Sequence, residues 1–230
     1  MVDFARMEKY AARKINDHPH ADVSSEVRQK SRTKRVQKKY TARYIQILEA
    51  SARQFSKKGY HVATTKDIAE ELGIQQGSLY YYIKSKEAAL EQICLVAIEG
   101  YVAFSEEIRR SRRSPRQKVQ DVVAHHLRTI QDRPEFFKVF MNHRHGLREE
   151  VRHEIGRQTR EYEKNIEAII RQGVRKGEFR SAIDCAHVTL ALLGMCNFVG
   201  VWWGKRSNAP VPQISQEFAD LLIEGLTGKS

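Results

Sequence analysis

The chain has 230 residues, 41% of them hydrophobic, enough to bury one substantial core or a small module joined to a larger domain. Its 40 Lys and Arg against 28 Asp and Glu leave a formal charge of +12, which favours a partner dense in negative charge, such as nucleic acid or an anionic membrane surface. The three cysteines, Cys94, Cys185 and Cys196, form no CxxC pair and sit in apolar surroundings, which argues against a disulfide framework and for a reduced, cytoplasmic protein.

In chain order, residues 1–40 hold eleven basic and five acidic side chains, half of the net charge, and read as a flexible basic arm. From Ala42 to Lys58 the apolar residues Tyr44, Ile45, Leu48, Ala52 and Phe55 recur at helical spacing, and Gly59 stands where a C-cap glycine is expected. Thr64 and Asp67 have the spacing of a capping box that opens a short helix over Thr65–Leu72. Gly73 breaks that helix, and a second runs from Gln76 to about Ile83. Two helices this short need a first helix to pack on. Ser85 can cap a long helix reaching about Arg110.

Arg109 to Pro115 reads as a bend. Beyond it the pattern predicts helices over Val119–Ile130, Pro134 to about Asn142, Leu147–Lys176 closed by Gly177, and Asp184 to about Trp203. Two prolines keep Lys205–Pro212 out of a helix, and Ser215–Leu226 forms the last one. With no strand pattern and no repeat, the fold class is all-α, divided into an arm (1–40), a helix-turn-helix domain (41–86) and a larger regulatory and dimerisation domain (87–230). The most apolar stretch, Val188–Trp203, contains Asn197 and glycines and reads as too interrupted for a membrane span, and the N-terminus has no apolar run of signal-peptide length.

The stretch Gly59 to Leu90, with Thr64, Asp67, Ile68, Ala69, Leu72, Gly73, Ile74, Gly77, Leu79, Tyr80, Tyr82 and Lys86 in register, resembles the DNA-binding signature of TetR/AcrR-family regulators. Ile68, Ala69, Leu72, Ile74 and Leu79 have the spacing of a small three-helix core. Gln75, Gln76, Gly77, Ser78 and Tyr81 lie in the half of a recognition helix that meets base edges, where a Gln amide can pair with adenine and a glycine permits close backbone approach. Tyr80, Tyr82, Lys84 and Lys86 suit phosphates, Lys66 is grouped with them, and the resemblance points the same way for Thr64, Tyr80, Tyr82 and Lys86. If one tyrosine faces the core, Tyr80 is the expected one. Ala63, Thr65 and Ile83 depart from the family pattern. In the arm, Arg32, Lys34, Arg35, Lys38, Lys39 and Arg43 are candidates for the DNA backbone or minor groove.

The resemblance implies a repressor that binds a palindromic double-stranded DNA operator as a homodimer and is released by a small-molecule effector. Val188, Leu192, Met195, Val199 and Trp202, with Phe218, Leu221, Leu222 and Leu226, are the expected dimer face, the last two helices pairing with their symmetry mates. Phe136, Phe137, Phe140, Met141, Tyr162, Ile166, Phe198 and Trp202 give an apolar effector lining. The polar cluster Asn142-His143-Arg144-His145-Gly146 and Arg148 beside them, with Pro134-Glu135-Phe136-Phe137, resemble acyl-CoA-responsive members, where arginine meets phosphate. Activation, co-repression and nucleic-acid binding without an inducer are the alternatives. No nucleophile, phosphate-loop or dinucleotide motif suggests catalysis or a cofactor. His125, His126, His143, His145 and His153 lack the spacing and companion ligands of a metal site.

Overall fold

A computed structural model describes residues 26–228 of the chain, with side chains from residue 37. It is helical throughout, with no strand among the described residues beyond an isolated bridge between Trp203 and Ser207. The helices are α1 (Glu26–Lys58), α2 (Thr65–Glu71), α3 (Gln76–Tyr80), α4 (Lys86–Arg110), α5 (Pro115–Asp132), α6 (Pro134–His143), α7 (Glu149–Arg175), α8 (Cys185–Trp202) and α9 (Val211–Thr227).

The first helix begins at Glu26, well before Ala42, so the arm is helical from residue 26 onward. Apolar periodicity could not reveal this, because a helix can continue on good helix formers alone, and no glycine or proline interrupts Glu26–Lys58. Residues 1–25 of the expected arm lie outside the described residues, and of Arg32, Lys34 and Arg35 only the backbone, within α1, is described. The last helix also starts early, at Val211: Pro210 is its N-cap and Pro212 stands in its first turn, where the missing N–H has no helical partner to lose.

Two compact units result. One holds the described residues up to Val96 together with Val139–Leu147; the other holds Ala97–Lys138 and the residues from Arg148 on. In the first, Ile45, Ile47, Leu48, Ala52 and Phe55 of α1 are buried with Ile68 and Ala69 of α2, Leu79 of α3, and Ile83, while Leu72 and Ile74 are half-buried. Side chains reinforce the pairing of α1 with α2: Arg53 and Gln54 donate to the Glu71 carboxylate at 2.5 and 2.7 Å, and Lys58 donates to Asp67 at 2.6 Å.

The second unit buries a larger core, including Val119, Val122, Val123 and Leu127 of α5, Ile166, Ile169 and Ile170 of α7, Leu192 and Val199 of α8, and Ile214 and Ile223 of α9. Phe179 packs against the backbone of α7 at Gly173, and Phe137 against that of α8 at Gly200; a Cβ there would lie 2.1 and 2.2 Å from the respective rings. Lys118 is buried, its ammonium donating to the Arg109 carbonyl at 2.8 Å and Gln172 Oε1 at 3.1 Å, so it closes the C-terminal end of α4.

By length and composition alone both α4 and α8 are apolar enough to cross a membrane. In the fold their apolar residues serve cores: Ala89, Leu90 and Ile93 of α4 are buried in the first unit, and Leu192, Leu193, Cys196 and Val199 of α8 in the second.

Candidate functional site

The helix-turn-helix is assembled from local hydrogen bonds. The Thr64 hydroxyl accepts from the Asp67 amide at 3.1 Å and donates to Asp67 Oδ2 at 2.8 Å, while the Thr64 amide donates to the same oxygen at 2.8 Å. This is the predicted capping box; the Lys58 ammonium first, and then the two Thr64 hydrogen bonds, hold the Asp67 carboxyl down at about 2. Gly73 turns the chain at φ 61, a left-handed conformation that a residue with a Cβ rarely adopts.

The reading helix is shorter than expected, five residues rather than eight, and ends at Tyr80; Tyr81 and Tyr82 continue as a turn. Gln75, Gln76, Gly77, Ser78, Tyr80 and Tyr81 are exposed, and only Leu79 of α3 faces the core. A Cβ at Gly77 would meet nothing within 4 Å, so that part of the helix is open to an incoming surface.

Several side chains expected to face DNA are partly committed within the protein. Gln76 Nε2 donates to Thr65 Oγ1 at 2.7 Å, and that hydroxyl lies 3.2 Å from the Tyr80 hydroxyl. Thr65, a departure from the family pattern, thus links α2 to both ends of α3. Lys66 is exposed and faces Glu70 at 3.8 Å. Lys86 differs most from its expected role as a phosphate anchor: its ammonium donates to the carbonyls of Tyr60, His61 and Ala63 at 2.9, 3.3 and 3.0 Å and lies 4.6 Å from the centre of the Tyr60 ring. Its three N–H donors therefore hold the loop that presents Thr64.

The tyrosines are also ordered differently. Tyr80 is exposed rather than inward-facing, and Tyr81 is the most open at 72%. Tyr82 is half-buried and packs on Tyr40 of α1, ring centres 4.8 Å apart, with Tyr81 at 5.7 Å from the same ring. Tyr40 therefore joins the reading helix to the basic stretch of α1, where Lys38 and Lys39 are exposed and Arg43 is half-buried, its guanidinium donating to Gln46 at 2.9 Å. The sequence reading missed Tyr40; its helical spacing to Tyr44 was the available signal. Lys84 is exposed.

The expected effector lining falls into two sets. Phe140, Met141 and Arg144 belong to the first unit, where the Arg144 guanidinium lies 4.9 Å from the Phe140 ring centre and 3.2 Å from the Met141 sulfur. Tyr162 and Ile166 belong to the core of the second unit, with Phe137 and Trp202 packed at its margin, and Phe136 is a buried residue of the same unit. Phe198 is no part of a lining: it is 58% exposed on α8.

Of the residues expected on a dimer face, Leu192, Val199 and Leu226 point into their own core and Leu221 of α9 is exposed; Leu190, Phe198 and Val201 of α8, not expected there, are also exposed. Because α8 is apolar on nearly every side, periodicity could not choose its outer face. The cysteines are buried and unbridged, and burial pushes the Cys94 and Cys196 thiols up to about 12.

Comparison with known proteins agrees with this architecture. The family model of bacterial regulatory proteins of the tetR family matches residues 47–93, and that of the tetracyclin repressor-like C-terminal domain matches residues 112–226. A relative described as a fatty acid metabolism regulator protein, from Bacillus subtilis, is 21% identical over 81% of this chain and 97% of its own length. Among solved structures, the ketosteroid transcriptional regulator KstR2 of Mycobacterium tuberculosis superposes with a TM-score of 0.74 at 21% identity, covering 81% of this chain and 96% of that one. The regulator FadR of Bacillus subtilis in complex with stearoyl-CoA does so with a TM-score of 0.65 at 21% identity, covering 80% of this chain and 99% of that one.

Proposed function

Because the chain belongs to the TetR family of bacterial regulatory proteins, we propose that it is a transcriptional repressor that binds a palindromic operator as a homodimer and is released by a small apolar effector. The observation that carries the reading is the open edge of α3, where Gln75, Gly77, Ser78 and Tyr81 stand exposed while Leu79 anchors the helix below them. That edge offers amide, hydroxyl and phenol groups to bases, and the lysines of α1 beside Tyr40 offer charge to phosphates. Thr64, Lys66, Tyr80, Tyr82 and Lys84 belong to the same surface; Lys86 acts by holding the loop before α2.

One helix-turn-helix covers one half-site, so useful affinity calls for two copies a helical turn or a multiple of it apart. The exposed apolar residues Leu190, Phe198, Val201 and Leu221 supply the pairing face. Effector control rests on the second unit, and α4, one unbroken helix with residues in both units, is the element through which it would act on DNA binding. An acyl-CoA thioester is a reasonable effector class in view of the relative solved with stearoyl-CoA.

The test is selection of bound sequences from genomic fragments, followed by anisotropy titration of the selected site. Wild type is expected to select a palindrome, and Gln75→Ala with Tyr81→Ala to lose most of the preference for it over random DNA while keeping the wild-type melting temperature. Failure to select a palindrome, or an unchanged preference in the double variant, overturns the reading.

A further inference from the structure

One hydroxyl joins the two short helices of the DNA-reading motif at the edge that would meet bases. Thr65, half-buried in the first turn of α2, accepts from Gln76 Nε2 at 2.7 Å, and its oxygen lies 3.2 Å from the Tyr80 hydroxyl. These contacts span 11 and 15 residues of sequence, so neither is imposed by the geometry of a single helix. Gln76 and Tyr80 are both exposed, which leaves the rest of each side chain open to an incoming surface. The neighbouring Gln75 is also exposed and makes no side-chain capping bond at the start of α3. Two adjacent glutamines thus stand at one edge, and a hydroxyl from α2 holds the second of them. Thr65 is a position where the chain departs from the family pattern, so this link belongs to the chain's own sequence.

We propose that Thr65 is a positioning residue that determines specificity: it fixes the Gln76 amide so that the protein favours adenine over guanine at one position of each half-site. The proposal rests on the DNA-reading function above. The donor inventory selects the base. A glutamine amide carries two N–H donors and one carbonyl acceptor. With one N–H held by Thr65, Gln76 keeps one donor and the acceptor for DNA. In the major groove adenine answers with N7, an acceptor, and its N6 amino group, a donor, so both amide groups are satisfied. Guanine presents two acceptors there, N7 and O6. It pairs with the single remaining N–H and sets its second acceptor against the Gln76 carbonyl, leaving two acceptors unpaired where water has been expelled. The bond to Thr65 also orders the glutamine before DNA arrives, so less rotamer freedom is lost on binding. Thr65 acts through Gln76 and needs no contact with DNA of its own.

The experiment uses the full chain and the operator it selects, with each base pair of the half-site replaced in turn and affinity read by fluorescence anisotropy. Gln76→Ala locates the position read by Gln76 as the one whose base preference disappears. There wild type is expected to favour adenine over guanine by about tenfold or more. Thr65→Val, close in shape but without the hydroxyl, is expected to bring that ratio below about threefold with a melting temperature within about 4 °C of wild type. Preferences at the other positions should persist, and Thr65→Ser should restore the ratio. A merely structural threonine would lower affinity for every sequence alike, so an unchanged ratio in Thr65→Val overturns the proposal. So does a Gln76→Ala protein that loses no base preference, and so does a wild-type preference for guanine, which an amide turned to free both N–H groups would give. In each of these cases the operator is still selected and the DNA-reading function stands; failure to select any operator removes that function and the proposal with it.

Discussion

The two units are held together in different ways. In the first, much of what shapes the surface is bonded over short distances: Thr64 caps onto Asp67, Gly73 turns the chain, and α3 carries one core residue, Leu79, beneath an exposed edge. In the second, polar groups meet across 36 residues from His126 to Tyr162 and across 71 from His126 to Asn197. A surface that reads DNA can be written in one short stretch because its partner comes from outside. A buried cluster must be gathered from several helices, so packing has to be in place before its hydrogen bonds exist.

The sharpest test of the contrast is Leu79→Ala. Removing the only buried side chain of so short a helix is expected to lower stability by about 4 kcal/mol and to release α3. Urea unfolding and hydrogen exchange should show protection lost first in the first unit. Equal loss in both units would break the contrast.

Acid should separate the units next. His126 titrates near 4 instead of its usual 6.5, so the unfolded chain takes up that proton first. The stability it supports is complete above pH 6.5 and falls as the pH drops from 6.5 towards 4, by ~3 kcal/mol if that shift is fully expressed. Asp67 of the first unit, near 2 instead of 3.8, keeps its contribution above pH 3.8 and loses it only below. Exchange measured at pH 5 is therefore expected to show the second unit weakened and the capping box intact; the reverse order would refute the assignment.

Gly200→Ala should come third. Its Cβ would lie 2.2 Å from the Phe137 ring, and displacing that ring is expected to destabilise by about 2 kcal/mol with operator affinity at low temperature retained. The smallest effect is expected from Lys86→Met, about 1–2 kcal/mol from three carbonyls losing a charged donor. The slope of log operator affinity against log salt should stay unchanged; a slope shallower by about 0.9 at an unchanged melting temperature would return Lys86 to the phosphates.

The pattern of legibility follows from the same physics. The capping box at Thr64, the Gly59 and Gly177 caps, Asp184 at the start of α8 and most helix bounds were readable because they depend on neighbours within about one turn. Errors arose where local pattern is silent. Glu26–Ala42 is helical without an apolar stripe, and proline in a first turn looks like a stop until the turn is seen.

By itself, the sequence determined the all-α class, the order of helices, the DNA-reading motif and its apolar scaffold, since each follows from spacing within a helix or a turn. The tertiary structure alone decided which way each uniform or ambiguous surface faces. It turned Lys86 inward to three carbonyls, set Tyr82 rather than Tyr80 against Tyr40, put Phe198 outside and Leu192 inside, and brought Tyr101 beside His126 and Tyr162. These outcomes depend on contacts between residues far apart in the chain, which no periodicity within one helix can encode.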